Sequence, residues 1–180
     1  DTDGRFGYER KKWSKKPKET VYDVGGAEYL KRHEKSTKSG RQYLLVDGYN
    51  IIFSWKELNE LSKENLEAAR TKLMDILCNY QGFKGCELIL VFDAYKVKGN
   101  PGEVSKYHNI NVVYTKEAET ADMYIEKVTH EIGKKHNVTV ATSDGLEQMI
   151  VIGSGAYRMS AREFEQEIKK TEKEIGEMIE

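Results

Sequence analysis

Four aspartates stand at places where strands and helices would bring acids together. They are Asp47 in Tyr43-Leu-Leu-Val-Asp-Gly-Tyr-Asn50, Asp93 in Leu88-Ile-Leu-Val-Phe-Asp93, Asp122 in Glu119-Thr-Ala-Asp122, and Asp144 in Val138-Thr-Val-Ala-Thr-Ser-Asp144. Each ends an apolar run or opens the helical pattern that follows. Ligands of an open parallel sheet bind outside the carboxyl ends of its strands, so acids at several such ends converge. Converging carboxylates repel one another and need divalent cations between them, and an all-oxygen set prefers Mg²⁺ or Mn²⁺. Ions held that way activate water for phosphodiester cleavage. Taken singly, an Asp of this kind is usually a cap or turn residue. Four at one edge by capping alone is a poor explanation.

The neighbours of these acids suit the same chemistry. Asn50 is placed to hold a carboxylate or a bound water, and Gly48 permits a tight turn with the backbone close to a ligand. Glu119 and Asp122, three apart at a helix start, are expected to share a face. Thr142 and Ser143 carry hydroxyls that bind phosphate or orient Asp144. Other chemistries lack their motifs: there is no phosphate-binding G-x-x-x-x-G-K-[ST] and no G-x-G-x-x-G after a strand. A serine nucleophile elbow is also absent, and His33, His108, His130 and His136 show no ligand spacing.

The elements that must position the acids alternate between strand and helix from Arg41 onward. Leu44–Val46, Glu87–Phe92, Asn111–Tyr114 and Asn137–Ala141 read as buried strands, with a small one at Ala156–Met159. Helices are expected over Lys63–Tyr80 with Ser62 as its cap, over Glu119–His136, and briefly near Gly145–Ile150. Ser160-Ala-Arg-Glu163 is a capping box opening a last helix that runs almost to Glu180. Ala94–Ile110 reads as one long connection without an element, rich in Lys96, Lys98, Lys106, Tyr95, Tyr107 and His108. Such a loop has the chemistry of a nucleic-acid contact. The alternation predicts a parallel sheet with helices on both faces.

Residues 1–40 differ in kind. They hold eleven Lys and Arg against seven Asp and Glu, a net +4 beside a net −5 for the remainder of a 180-residue chain of net charge −1. With Tyr8, Trp13 and Tyr22 among the lysines, they read as a basic, flexible arm suited equally to nucleic acid or to solubility. No apolar run is long enough to cross a membrane. Two cysteines, Cys78 and Cys86, are too few for a disulfide framework and point to a reducing, cytoplasmic setting. The chain opens on Asp1, as expected of a piece of a longer protein.

Five ordered blocks carry a family resemblance: Val46-Asp-Gly-Tyr-Asn50, Val91-Phe-Asp-Ala94, Tyr114–Asp122, Ala141-Thr-Ser-Asp144 and Gly155–Glu163. Over residues 41–180 the chain resembles the NYN domain of the YacP-like type, among the PIN-like nucleases. That resemblance implies a PIN-like Rossmannoid three-layer α/β/α sandwich and a metal-dependent endoribonuclease cutting single-stranded RNA, with bacterial members that cut mRNA at the ribosome. It makes Asp47, Asp93 and Asp122 the core acids, with Asp144 beside them and Asn50 in support, and Mg²⁺ or Mn²⁺ the cofactor. Glu119 joins the metal set, while Arg70, Ser143 and Arg158, with Lys96 and Lys98 of the long connection, become RNA or phosphate contacts. It also admits fusion behind, or proximity to, a translation-factor-like GTPase. The rival reading is a non-catalytic RNA- or ribosome-binding module whose acids serve only as caps. A haloacid-type phosphatase needs a second Asp where Tyr49 stands, and a receiver domain needs paired early acids and a late Lys that are not evident.

Overall fold

Successive side chains of the central strands feed two separate cores. Leu44, Val46, Leu88, Leu90 and Phe92 enter one, while Leu45 and Val91 enter the other. A period of two with both faces apolar requires helices on each side of the sheet. The structure, a computed structural model, describes residues 40–94, 103–153 and 155–179. The expectations for the basic arm before residue 40, and for Lys96 and Lys98, lie outside the described residues.

Strands β1 (Gln42–Asp47), β2 (Glu87–Phe92), β3 (Val104–Tyr107), β4 (Ile110–Tyr114), β5 (Asn137–Ala141) and β6 (Tyr157–Met159) form one sheet in the order β3-β4-β2-β1-β5-β6. All neighbours are parallel except the β3–β4 pair. Helices α1 (Gly48–Ser54), α2 (Lys56–Glu64), α3 (Leu66–Lys84) and α6 (Ala161–Ile179) cover one face through Ile51, Leu58, Leu73, Leu77 and Phe164. Helices α4 (Ala121–Ile132) and α5 (Gly145–Gly153) cover the other through Ile125 and Val151. The expected three-layer α/β/α arrangement with a mainly parallel sheet is therefore present. Among the described residues no helix is long and apolar enough to cross a membrane.

The strand order fixes where a ligand would sit. The chain leaves β1 toward β2 and β4 on one side, and leaves β5 toward β6 on the other. Adjacent strands whose connections depart in opposite directions open a crevice at their carboxyl ends. Here that crevice lies between β1 and β5.

Three expectations about the elements need correction. The helix expected over Lys63–Tyr80 is two helices, broken at Asn65, which is extended (φ −154°, ψ 105°) and accepts the Ala68 N–H on its side chain. Ser62, the expected cap, lies inside α2 and donates to the Asn59 carbonyl. A side chain able to satisfy an orphan N–H wins over continuous helical periodicity. The connection Ala94–Ile110 is not elementless, because Val104–Tyr107 pairs antiparallel with β4. Its first three residues are exposed and carry no apolar alternation, so pairing with β4 makes this edge strand, with Tyr107 packed on the first core and its hydroxyl donating to Asp75. His108 supplies the left-handed φ of 50° at the turn. Finally, α4 begins at Ala121 and its cap is Thr120, so Glu119 falls outside the helix.

A pH dependence follows from Cys86, which packs beside the first core. Burial pushes its thiol up from 9.0 to about 11. The folded chain therefore keeps a proton that the unfolded chain loses, and stability must fall as pH rises through that window. The urea midpoint is expected to drop between pH 8.5 and 10.5, and to drop less in Cys86→Ala.

Candidate active site

Asp47 occupies the N-cap position of α1, yet its side chain makes no capping hydrogen bond to that helix. It is buried instead, at 7% exposure, in the crevice. From the opposite wall the buried Thr142 hydroxyl donates to Asp47 Oδ2 at 3.4 Å, and the same Thr142 oxygen accepts the Asp144 N–H at 3.1 Å. One turn into α1, Asn50 Oδ1 accepts the Ser143 N–H at 2.8 Å. The exits of β1 and β5 are thus laced together through side chains. Ser143 extends the lacing, its hydroxyl accepting the Ala161 N–H at the start of α6 at 2.8 Å. Trp55 Nε1 donates to the Ala161 carbonyl, also at 2.8 Å. Of the expected capping box, the Glu163 N–H donates to Ser160 Oγ at 3.1 Å, and the Ser160 hydroxyl donates to the Glu163 carboxylate at 3.0 Å.

Gly48 has a reason other than the expected approach to a ligand. A Cβ there would lie 2.3 Å from the Phe92 ring, so only glycine lets α1 pass this close to β2.

Asp93 leaves β2 on the neighbouring strand end. Its Oδ1 accepts the Ala121 N–H at 2.7 Å, satisfying a donor at the N-terminus of α4. The buried Thr115 pins this exit to that of β4: its hydroxyl accepts the Ala94 N–H, and its own N–H donates to the Phe92 carbonyl. Asp122 lies in the first turn of α4 and Asp144 directly before α5, both half-buried. Helix N-termini favour such negative charge. Glu119 precedes the helix that carries Asp122 and forms an ion pair with Lys127 at 3.2 Å.

The four aspartates and Asn50 accordingly come to the carboxyl edge of three adjacent strands, Asp47 and Asp144 at the crevice and Asp93 and Asp122 one strand away. Their oxygen chemistry matches Mg²⁺ or Mn²⁺. As they stand, however, no three His, Cys, Asp or Glu side chains among the described residues are grouped to hold an ion.

Arg70 of α3 reaches this edge from the helical layer. It is half-buried and donates to the Tyr49 hydroxyl at 3.3 Å. Burial pushes the Tyr49 phenol above its usual value, with Arg70 pulling partly the other way and Tyr114 and Asp93 adding to the rise. Tyr49 is therefore a protonated, packed phenol, as expected of a core residue. Arg158 is half-buried on the edge strand β6, opposite Val140. Thr142 orients Asp144 as expected, but its bond to Asp47, and the whole role of Thr115, exceed what the sequence displays. The one visible signal for Thr115 is a hydroxyl immediately after an apolar strand.

A family model described as the YacP-like NYN domain matches residues 44–180. The chain belongs to that family. YacP of Bacillus subtilis (strain 168) is 42% identical over 137 residues, spanning 76% of this chain and 80% of that protein. The crystal structure of Rae1 (YacP) from Bacillus subtilis is similar with a TM-score of 0.67 at 40% identity, covering 76% of this chain and 79% of that one. A mutant of Rae1 gives the same TM-score at 39% identity. The ordered blocks read from the sequence lie within the matched span, and the nuclease class they imply is that of the YacP-like NYN family.

Three substitutions separate packing from charge at this edge. Asp93→Ala is expected to lower unfolding free energy by about 1 kcal/mol through the lost N–H partner, and Asp93→Asn by much less, since an amide oxygen still accepts. Gly48→Ala is expected to cost about 1–3 kcal/mol by overpacking Phe92. Urea titrations of the three proteins check both.

Proposed function

We propose that the chain is a metal-dependent endoribonuclease acting on single-stranded RNA, mRNA at the ribosome in particular. The observation that carries the reading is Asp47, an N-cap aspartate that does not cap and is buried at the switch-point crevice. Family membership supports the reaction class. An RNA phosphate entering the crevice meets the Asn50 amide, whose oxygen is tied to Ser143 while its NH₂ lies outside that tie. Asp47, held in orientation by Thr142, accepts a hydrogen bond from an attacking water and takes its proton as the new P–O bond forms. In-line attack breaks the P–O3′ bond, and the departing 3′-oxygen takes a proton from solvent, leaving a 5′-phosphate and a 3′-hydroxyl. Mg²⁺ or Mn²⁺, with Asp47, Asp93, Asp122 and Asp144 as its candidate ligands and Glu119 the least suited, would neutralise the charge that develops.

The described domain is acidic, so naked RNA is repelled. Recruitment by the ribosome, by residues 1–40, or by a fused or neighbouring translation-factor-like GTPase offsets that repulsion, in a cytoplasmic setting. Arg70, Arg158, Ser143, Lys96 and Lys98 are the candidate RNA contacts. A second reading, a non-catalytic RNA- or ribosome-binding module, draws on Asp93 being engaged as a helix-end acceptor and on the ungrouped acids.

End-labelled single-stranded RNA incubated with Mn²⁺ or EDTA, with and without ribosomes, decides between them. Metal-dependent cutting is expected, lost by orders of magnitude in Asp47→Asn with the unfolding midpoint unchanged or raised. Binding without cutting under every condition supports the module instead, whereas undiminished cutting by Asp47→Asn would keep a nuclease but contradict Asp47 as the centre of its site.

A further inference from the structure

We propose that Phe53 is a base-stacking platform that seats the nucleotide next to the cleaved phosphate, and so selects unpaired RNA; this rests on the nuclease reading above. Helix α1 buries its other large apolar residues, with Tyr49 at 5% and Ile51 and Ile52 at 0% exposure, but leaves Phe53 at 43%. The ring is not a loose end. It stacks on Tyr49 with centroids 6.0 Å apart and planes 16° from parallel, and Tyr49 packs on the fully buried Phe92 at 5.0 Å. Phe92 in turn stacks with Tyr114 at 5.7 Å and 21°. A column that includes Tyr114, Phe92, Tyr49 and Phe53 therefore leads out from the sheet to an exposed ring. An anchored ring of this kind takes a base at little ordering cost.

Position makes a nucleobase the fitting occupant. Phe53 lies three residues after Asn50, on the same side of α1 and one turn, about 5 Å, farther from the strand ends. A phosphate at Asn50 and Asp47 places its own base one step outward along that helix. Arg70, bonded to Tyr49 within the column, gives this side of an acidic domain a positive group for the adjoining phosphate. Every base has a π-face, so such a platform tolerates sequence but excludes paired bases.

The test uses the full chain carrying Asp47→Asn, so that RNA stays intact, and reads binding of short labelled RNAs by fluorescence anisotropy. Adding Phe53→Ala is expected to weaken single-strand binding about 5- to 150-fold, the value of one stacked base, and Phe53→Trp to restore it. Duplex binding should not change. In a set of oligonucleotides each with one abasic residue, the Phe53→Ala loss should vanish at a single position. Unchanged binding in Phe53→Ala, a loss equal at all abasic positions and not restored by Trp, or no RNA binding by any form would overturn the platform; the second would mark a protein contact instead. Failure of the nuclease reading appears separately, as RNA binding by the wild-type chain, with Asp47 intact, without cutting.

Discussion

Burying a carboxylate is costly unless neighbouring groups replace the water it loses. Asp47 imposes that constraint on the molecule, because it sits in the crevice between β1 and β5 and is withdrawn from solvent. The response is visible in the loops around it. Thr142 donates to Asp47 while orienting the backbone of Asp144, Asn50 secures Ser143, and Ser143 secures the start of α6. Five elements are held to one another through the surroundings of a single acid. A site built this way is placed by rigid strand ends and not by a free loop, which is what a phosphodiester hydrolase requires of its positioning groups.

The remaining acids are accommodated by different physics. Asp93 is paired with a backbone donor of α4, and Asp122 and Asp144 lie at helix N-termini, where partial positive charge offsets their own. Negative charge is thereby concentrated at one edge without destabilising the sheet below it. On the proposed reading, this edge is where a domain of net negative charge would receive a phosphate and cations. Arg70, tied to the aromatic column, supplies positive charge of the protein's own nearby.

Much of this was legible in the sequence because it depends on local pattern. The buried strands Glu87–Phe92 and Asn137–Ala141 stand in the structure at the residues read from their apolar runs, and the strand-end aspartates follow directly. What escaped depends on partners far along the chain. Gly48 is glycine because of Phe92, forty-four residues away, and no local signal marks that. Asn65 interrupts a helical period that looks continuous until its side chain is seen to cap α3. The edge strand β3 has no apolar alternation, its first three residues being exposed and Tyr107 alone packing on the core, so its partner β4 reveals it. Glu119 illustrates the limit of spacing arguments: three residues from Asp122 is a shared face only if both are helical, and Thr120 starts the helix one residue too late.

The most direct measurement is Mn²⁺ binding by electron paramagnetic resonance, on the full chain and its Asp47→Asn variant, each with a non-cleavable single-stranded RNA. The account predicts that the wild-type protein holds the ion, that RNA strengthens the hold, and that Asp47→Asn loses it while remaining folded. Equal binding by both proteins, or none by either with RNA bound, would contradict the claim that the crevice acids assemble a metal-dependent cleavage site.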